Sequence, residues 1–307
     1  MKHTLKITLI LVALFFLSQV IGLAVTGKYL EREITPGGDI NVTAKPIYIG
    51  GQEFERPPIE GPSSLIYIVI AILLGTLLIF LLMSFKKMML WKVWYLLAVI
   101  MTLAIAFGAF IQQTYIPLVL ALILGVWKVF KPTVIVHNIT EVFVYGGLAA
   151  IFVGVVRYVW VAFLLLAVIS VYDMIAVWKS KHMIKLAKAQ TKQKIFAGLS
   201  IPYKMIKGAK KSVKGAVKKR VNIAILGGGD IGFPLIFAGV VMMNLIFKES
   251  ILISFLKTLI IPLFVSIALF VLFIKGEKNK FYPAMPFLTI GCVVGYLVIW
   301  LVNFFVV

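Results

Sequence analysis

The chain is poor in the residues on which most soluble enzymes depend. Its only cysteine, Cys292, lies inside an apolar run, which excludes an intrachain disulfide and any CxxC redox or metal motif. The three histidines, His3, His137 and His182, avoid the middle of every apolar run, so a membrane Ser–His dyad has no base. No HExxH occurs, which leaves zinc-dependent hydrolysis without ligands; neither a metal nor an organic cofactor is implied. Acid is scarce as well, with 11 Asp and Glu against 31 Lys and Arg. Only three residues are aspartate: Asp39 in a polar segment, and Asp173 and Asp230, each alone in an apolar stretch.

What is abundant is hydrocarbon. The 307 residues are 62% hydrophobic, with a mean hydropathy of +1.07, well above a soluble globular composition. The apolar residues fall into runs of about 20, the length that crosses roughly 30 Å of hydrocarbon as a helix. Lipid offers no partner to exposed backbone, so the spans must be helical. The fold class expected is an all-α polytopic membrane protein with nine transmembrane helices, near 5–25, 64–84, 92–112, 115–127, 137–156, 159–178, 222–247, 251–274 and 283–306. The fourth is short and needs tilt or local thinning. The first has a basic start like a signal peptide, but its uninterrupted length favours a retained helix. Residues 26–63, mixed in charge and rich in Gly and Pro, read as an ordered loop or hairpin outside the membrane.

The net charge of +20 is concentrated. Thirteen lysines and one arginine lie between Lys179 and Arg220 without a single acid. Aromatics are sparse there, which argues against nucleic acid and for a cytoplasmic loop facing anionic lipids. Part of it could lie on the membrane as an amphipathic helix. The loop divides the chain into a six-helix part (1–178), the basic segment (179–221) and a three-helix part (222–307). Lys86, Lys87, Lys128, Lys131 and Lys275 share its side, so the positive-inside rule puts the N-terminus in the cytoplasm and the C-terminus outside. The two aspartate spans then run antiparallel.

An ionised carboxylate at mid-membrane costs roughly 3 kcal/mol on insertion scales, so such acids point to chemistry or ion handling rather than packing. Gly227, Gly228 and Gly229 precede Asp230, and each weakens a helix by up to about 1 kcal/mol relative to alanine. Pro234 cannot donate to the carbonyl of Asp230, which leaves that acceptor open to a ligand. Tyr172 adjoins Asp173, whose simplest alternative role is pairing with a cation at the interface. Pro283-Ala284-Met285-Pro286 opens the last span irregularly, freeing backbone groups. Glu141, near the start of the fifth span, reads as an interfacial acid outside the site. Two function classes account for the buried acids: hydrolysis by a carboxylate pair, or a proton- or cation-coupled transporter or channel. A non-enzymatic scaffold leaves them unexplained.

Together these segments resemble the presenilin and signal peptide peptidase family of intramembrane aspartyl proteases. Members carry Tyr-Asp on the sixth helix, Gly-x-Gly-Asp on the seventh and Pro-Ala-Leu at the ninth. The corresponding residues here are Tyr172-Asp173, Gly227-Gly228-Gly229-Asp230 and Pro283-Ala284-Met285. The run Gly229–Pro234 looks more like the signal peptide peptidase branch and the N-in topology more like presenilin, a mixture implying an archaeal-type homologue in a prokaryotic cell membrane. The resemblance implies a presenilin-like fold and an aspartic endopeptidase with Asp173 and Asp230 catalytic. Tyr172, the three glycines, Pro283, Ala284 and Met285 would shape the site. Substrates would be single-span membrane proteins or signal peptides, and a homo-oligomer is compatible. Met285 replaces the usual leucine, a volume-conserving change. Gly228 replaces a larger residue at a position that influences specificity in the family. Type IV prepilin peptidases also use Gly-x-Gly-Asp, but there the acids are expected near the cytoplasmic surface.

Overall fold

The computed structural model describes residues 4–35, 37–59, 61–85, 87–179, 196–204, 221–277 and 282–306. Among these, the helices are α1 (Leu5–Lys28), α2 (Pro62–Ser84), α3 (Met88–Gly108), α4 (Ile116–Phe130), α5 (Val134–Val156), α6 (Val159–Met174), α7 (Gly228–Ile246), α8 (Ile251–Thr258), α9 (Ile260–Lys275) and α10 (Met285–Val306). Strands β1 (Leu30–Ile34) and β2 (Ile40–Ala44) form one antiparallel hairpin, and β3 (Ile47–Ile49) and β4 (Gln52–Phe54) a second. Strands β5 (Gly198–Lys204) and β6 (Val221–Gly227) form a third antiparallel ladder. Eight helical segments are long and apolar enough to cross a membrane, α8 and α9 counting as one, and the shorter α4 is a ninth apolar helix. The chain is an integral membrane protein of all-α class.

Burial sets the plan. In α7, 78% of the apolar window is buried inside the protein, against 11% in α2, so α7 is the central helix and α2 a peripheral one. Helices α1, α5, α6 and α10 all touch α7. Close approach comes from small residues, as between membrane helices generally. Gly291 and Gly295 lie one turn apart on α10, and a Cβ on either would come 2.8 Å from the Cα of Val265 or Ile261 on α9. Phe163 of α6, Phe237 of α7 and Tyr296 of α10 meet edge to face, with centroids 4.8 to 6.3 Å apart. Such pairs add roughly 0.5–1.5 kcal/mol each beyond area burial, and here they tie three helices at one point.

Several boundaries differ from the sequence expectation, each for a local reason. The seventh span begins at Gly228, not at 222, because residues 221–227 are strand β6. Val221, Ile223 and Ile225 are β-branched and favour strand, while the glycines that follow do not propagate a helix backwards. The eighth span breaks between Thr258 and Ile260, where Pro262 has no N–H for the Thr258 carbonyl. Residues 26–63 hold the two hairpins, anchored by Arg56, which donates to Lys45 O at 2.7 Å and to Ala150 O on α5. Within the segment expected to be a basic loop, Gly198–Lys204 is strand β5. Most of its lysines, the amphipathic helix considered there, and Lys86 lie outside the described residues. Lys128 is no loop charge: it is 2% exposed within α4.

Candidate active site

Asp173 is the penultimate residue of α6 and is buried, 4% exposed. Its Oδ2 accepts the Met285 N–H at 3.1 Å, and the Ala284 N–H also faces it. The local sequence explains the bond. Ala284 O accepts from Phe287 and Leu288, so Ala284 is the N-cap of α10 and Met285 its first residue. The first N–H groups of a helix have no partner within it, and Pro286 removes one of them outright. A carboxylate at that end meets both the open donor and the positive end of the helix dipole. Beyond Asp173 the helix widens into a single π turn, Ile175–Lys179.

Asp230 lies in the first turn of α7 rather than in mid-helix. It is partly exposed, and its carboxylate folds toward its own N-cap: a Cβ on Gly227 would stand 3.2 Å from Oδ2. The three glycines are not equivalent. A Cβ on Gly228 would come 2.5 Å from the Tyr145 hydroxyl, whereas one on Gly229 would make only ordinary contact with Phe233. Gly228 is therefore small because Tyr145 fills the space a larger residue would need. Tyr145 is buried on α5, close to both Glu141 and Asp230, and its hydroxyl makes no hydrogen bond of normal geometry among the described residues.

Helices α6, α7 and α10, which carry Asp173, Asp230 and Met285, are in mutual contact, and Asp173 meets Met285 directly. Ser170 Oγ and Thr289 Oγ1, 2.8 Å apart, fix α6 against α10 one turn from Asp173. Tyr172 points elsewhere, its hydroxyl 3.3 Å from Thr76 Oγ1 on α2. Gln19, fully buried on α1, donates to Ile231 O at 2.8 Å and holds the first turn of α7. Among the described residues no cluster of His, Cys, Asp and Glu could hold a metal ion.

Glu141 overturns its interfacial reading. It is 1% exposed and ion-paired with Lys128, with the Tyr95 hydroxyl 3.2 Å from the same oxygen. Sequence reasoning passed over this pair and Tyr145, Gln19, Ser170 and Thr289. Polar residues on the buried sides of apolar helices were the available signal.

The ladder reaches Asp230 directly. Gly228 N–H donates to Ala197 O at 3.1 Å, so one residue both ends the β5–β6 pairing and begins α7. Alternation from that bond puts Leu199 opposite Leu226 and Ile201 opposite Ala224 as hydrogen-bonded pairs. Gly198, Ser200 and Pro202 then face away from β6, and Ile223, Ile225 and Gly227 face away from β5.

Comparison with known proteins bears on the fold and the family. Two solved structures, each described as a presenilin family intramembrane aspartate protease, one in a C222 and one in a P2 crystal form, share the fold. The first superposes with a TM-score of 0.57 at 18% identity, covering 95% of this chain and 97% of the other. The second gives 0.58 at 19% identity, covering 95% and 96%. No curated protein matches in sequence. The family model for signal-peptide peptidase and presenilin aspartyl protease matches residues 40–305, and the chain belongs to that family of intramembrane-cleaving aspartyl proteases.

Proposed function

We propose that this protein is an intramembrane aspartyl endopeptidase in which Asp173 and Asp230 act as one catalytic pair. The observation that carries the reading is the buried Asp173 carboxylate, held by the first N–H of α10 on a helix that packs against the one beginning at Gly228. Two carboxylates sharing a site hold a single proton and titrate as a unit. The ionised member takes a proton from a bound water as it attacks the scissile carbonyl. The protonated member donates to the carbonyl oxygen, and a proton returns to the leaving amine. Asp173, already bonded to Met285, has its orientation fixed. Asp230, in the first turn of α7, is the more exposed of the two.

Substrates are single membrane-spanning segments and signal peptides. A helical substrate shields its own amides, so it must unwind before attack. The outer edge of β6, whose last outward-facing residue is Gly227, offers backbone partners to an extended strand three residues from Asp230. The basic segment faces the cytoplasm and anionic lipid, with the N-terminus inside and the C-terminus outside. Six helices before that segment supply α6 to the site, and three spans after it supply α7 and α10.

The deciding assay gives purified protein in liposomes a single-span peptide, beside the Asp173→Asn and Asp230→Asn forms. Cleavage should fall at least about a hundredfold in each variant. Cleavage surviving in either ends the dyad, and ion flux without cleavage favours a transporter.

A further inference from the structure

An outward-facing strand edge inside a membrane protein must find partners, because unsatisfied N–H and C=O groups in hydrocarbon cost several kcal/mol each. On β5 that demand is met by side chains. Asn138 of α5 makes both bonds to Ser200: Nδ2 donates to Ser200 O at 2.9 Å and Oδ1 accepts Ser200 N–H at 3.0 Å. Two residues earlier on the strand, His137 Nε2 lies 2.8 Å from Gly198 O, a carbonyl that can only accept, so this nitrogen carries the proton. The Tyr95 hydroxyl of α3 stands 3.2 Å from Phe196 O. The residues gripped are 196, 198 and 200, spaced by two, as a neighbouring strand would grip them. Pro202, the next outward position, has no N–H to satisfy, which suits an edge. Gly198 adopts φ +134°, and a Cβ there would meet Leu226 O at 2.1 Å, so the strand is seated closely.

Behind this row lies the buried Lys128–Glu141 pair. Its Oε1 takes the lysine and lies 3.2 Å from the Tyr95 hydroxyl, whose single proton is shared between that oxygen and Phe196 O, and Lys128 Nζ is 5.9 Å from the Tyr95 ring centre. A buried ion pair is weak evidence for stability in itself, since burying both charges offsets most of their attraction. Its placement gives it a use: it fixes the one side chain of the row that comes from a different helix.

We propose that Asn138, His137 and Tyr95 form a side-chain strand, braced by Lys128–Glu141, that closes the outer edge of β5 and sets the register of the ladder delivering Asp230. They are positioning residues: with β5 closed on that side, β6 is the edge left to an extended substrate, and its register selects the bond presented. This rests on the protease reading given above for the second half only; the closing of β5 stands without it.

The test compares Asn138→Leu and Asn138→Asp in the full chain by amide hydrogen exchange and by mass analysis of cleavage products. Asn138→Asp keeps the acceptor for Ser200 N–H but sets an oxygen against Ser200 O where Nδ2 donated, so exchange across 198–204 should rise less than in Asn138→Leu. Asn138→Leu loses both bonds, and exchange there should rise roughly five- to tenfold. In the Leu form new cleavage positions should appear, two residues from the wild-type site, since a register that preserves side-chain facing slips in twos. A mere packing role gives the opposite order, because a buried charge disturbs an apolar site more than leucine does. Wild-type exchange and products in Asn138→Leu overturn the proposal. Should that form not fold, Tyr95→Phe carries the test: faster exchange across 197–204 supports it, and unchanged exchange overturns it. A wild type that cleaves nothing removes the protease reading, while the exchange measurement still decides the closing of β5.

Discussion

Met285 donates its backbone N–H to the Asp173 carboxylate across 3.1 Å, joining helix ends 112 residues apart in the chain. The motif around Pro283 thus has a mechanical meaning: it presents an open helix start to an acid. Substituting proline at 285 removes the donor and little else from the backbone, because proline is well accepted as the first residue of a helix and Ala284 is already non-helical. Met285→Pro should lower kcat by about ten- to a hundredfold, the worth of a hydrogen bond to a charged group. Met285→Leu, which keeps the N–H and the volume, should stay near wild type. Equal losses in the two would show that the side chain, not the amide, matters.

A shared proton has a signature in the pH profile. The rate should fall on both the acid and the alkaline side, since one limb protonates the base and the other deprotonates the acid. In either Asp→Asn form any residual rate should lose that bell. A wild-type rate flat from acid to alkaline pH counts against shared-proton chemistry.

Gly228 and Tyr145 should behave as a coupled pair. Gly228→Ala drives a methyl against the phenol oxygen, 2.5 Å from the built Cβ, and should reduce activity sharply. Tyr145→Phe alone should be nearly neutral for stability, because the hydroxyl removed is buried without a normal hydrogen bond among the described residues. The double variant should recover activity relative to Gly228→Ala. Gly229→Ala, facing only Phe233 at van der Waals distance, should disturb packing least. Activity and thermal midpoint measured across the four proteins decide it.

Lys128→Met should be costly and Lys128→Met/Glu141→Leu less so. Removing one member leaves a buried charge, worth about 3–5 kcal/mol, whereas replacing both with apolar residues is often neutral. The midpoint of unfolding in detergent reads the difference. A single variant more stable than the double would mean that the pair is not closed off from water.

Outside the spans, burial pushes the Tyr29 phenol up to about 12, with the Arg56 guanidinium working against it. The neutral phenol donates to Ile105 O at 2.8 Å. A raised folded value means the stabilisation is complete below the ordinary value of 10 and is lost as pH climbs toward about 12. The gap in thermal midpoint between wild type and Tyr29→Phe should therefore shrink across that window. A gap independent of pH there would refute the assignment.

The spans and the two acids were legible because a carboxylate alone in twenty apolar residues has no bland explanation. Asp173 and Asp230 stand out for that reason, and the glycines beside the second add to it. Glu141 did not, because its partner closes the preceding span; each charge looked interfacial until the turn at 131–133 folded one against the other. Strand β5 was hidden by its setting, seven residues inside a lysine-rich stretch whose composition dominated the reading. Asp230 was placed in mid-helix since Val221–Leu226 is as apolar as a span; only the pairing with β5 tells strand from helix there. Tyr145 stood out only as a polar residue in an apolar span; its contact with Gly228 is a matter of three-dimensional distance.

Gly228 finishes a strand and starts a helix with no spacer between them. Under the proposed mechanism, a strand docked on β6 and the carboxylate two residues beyond Gly228 are joined by strand and helix backbone alone.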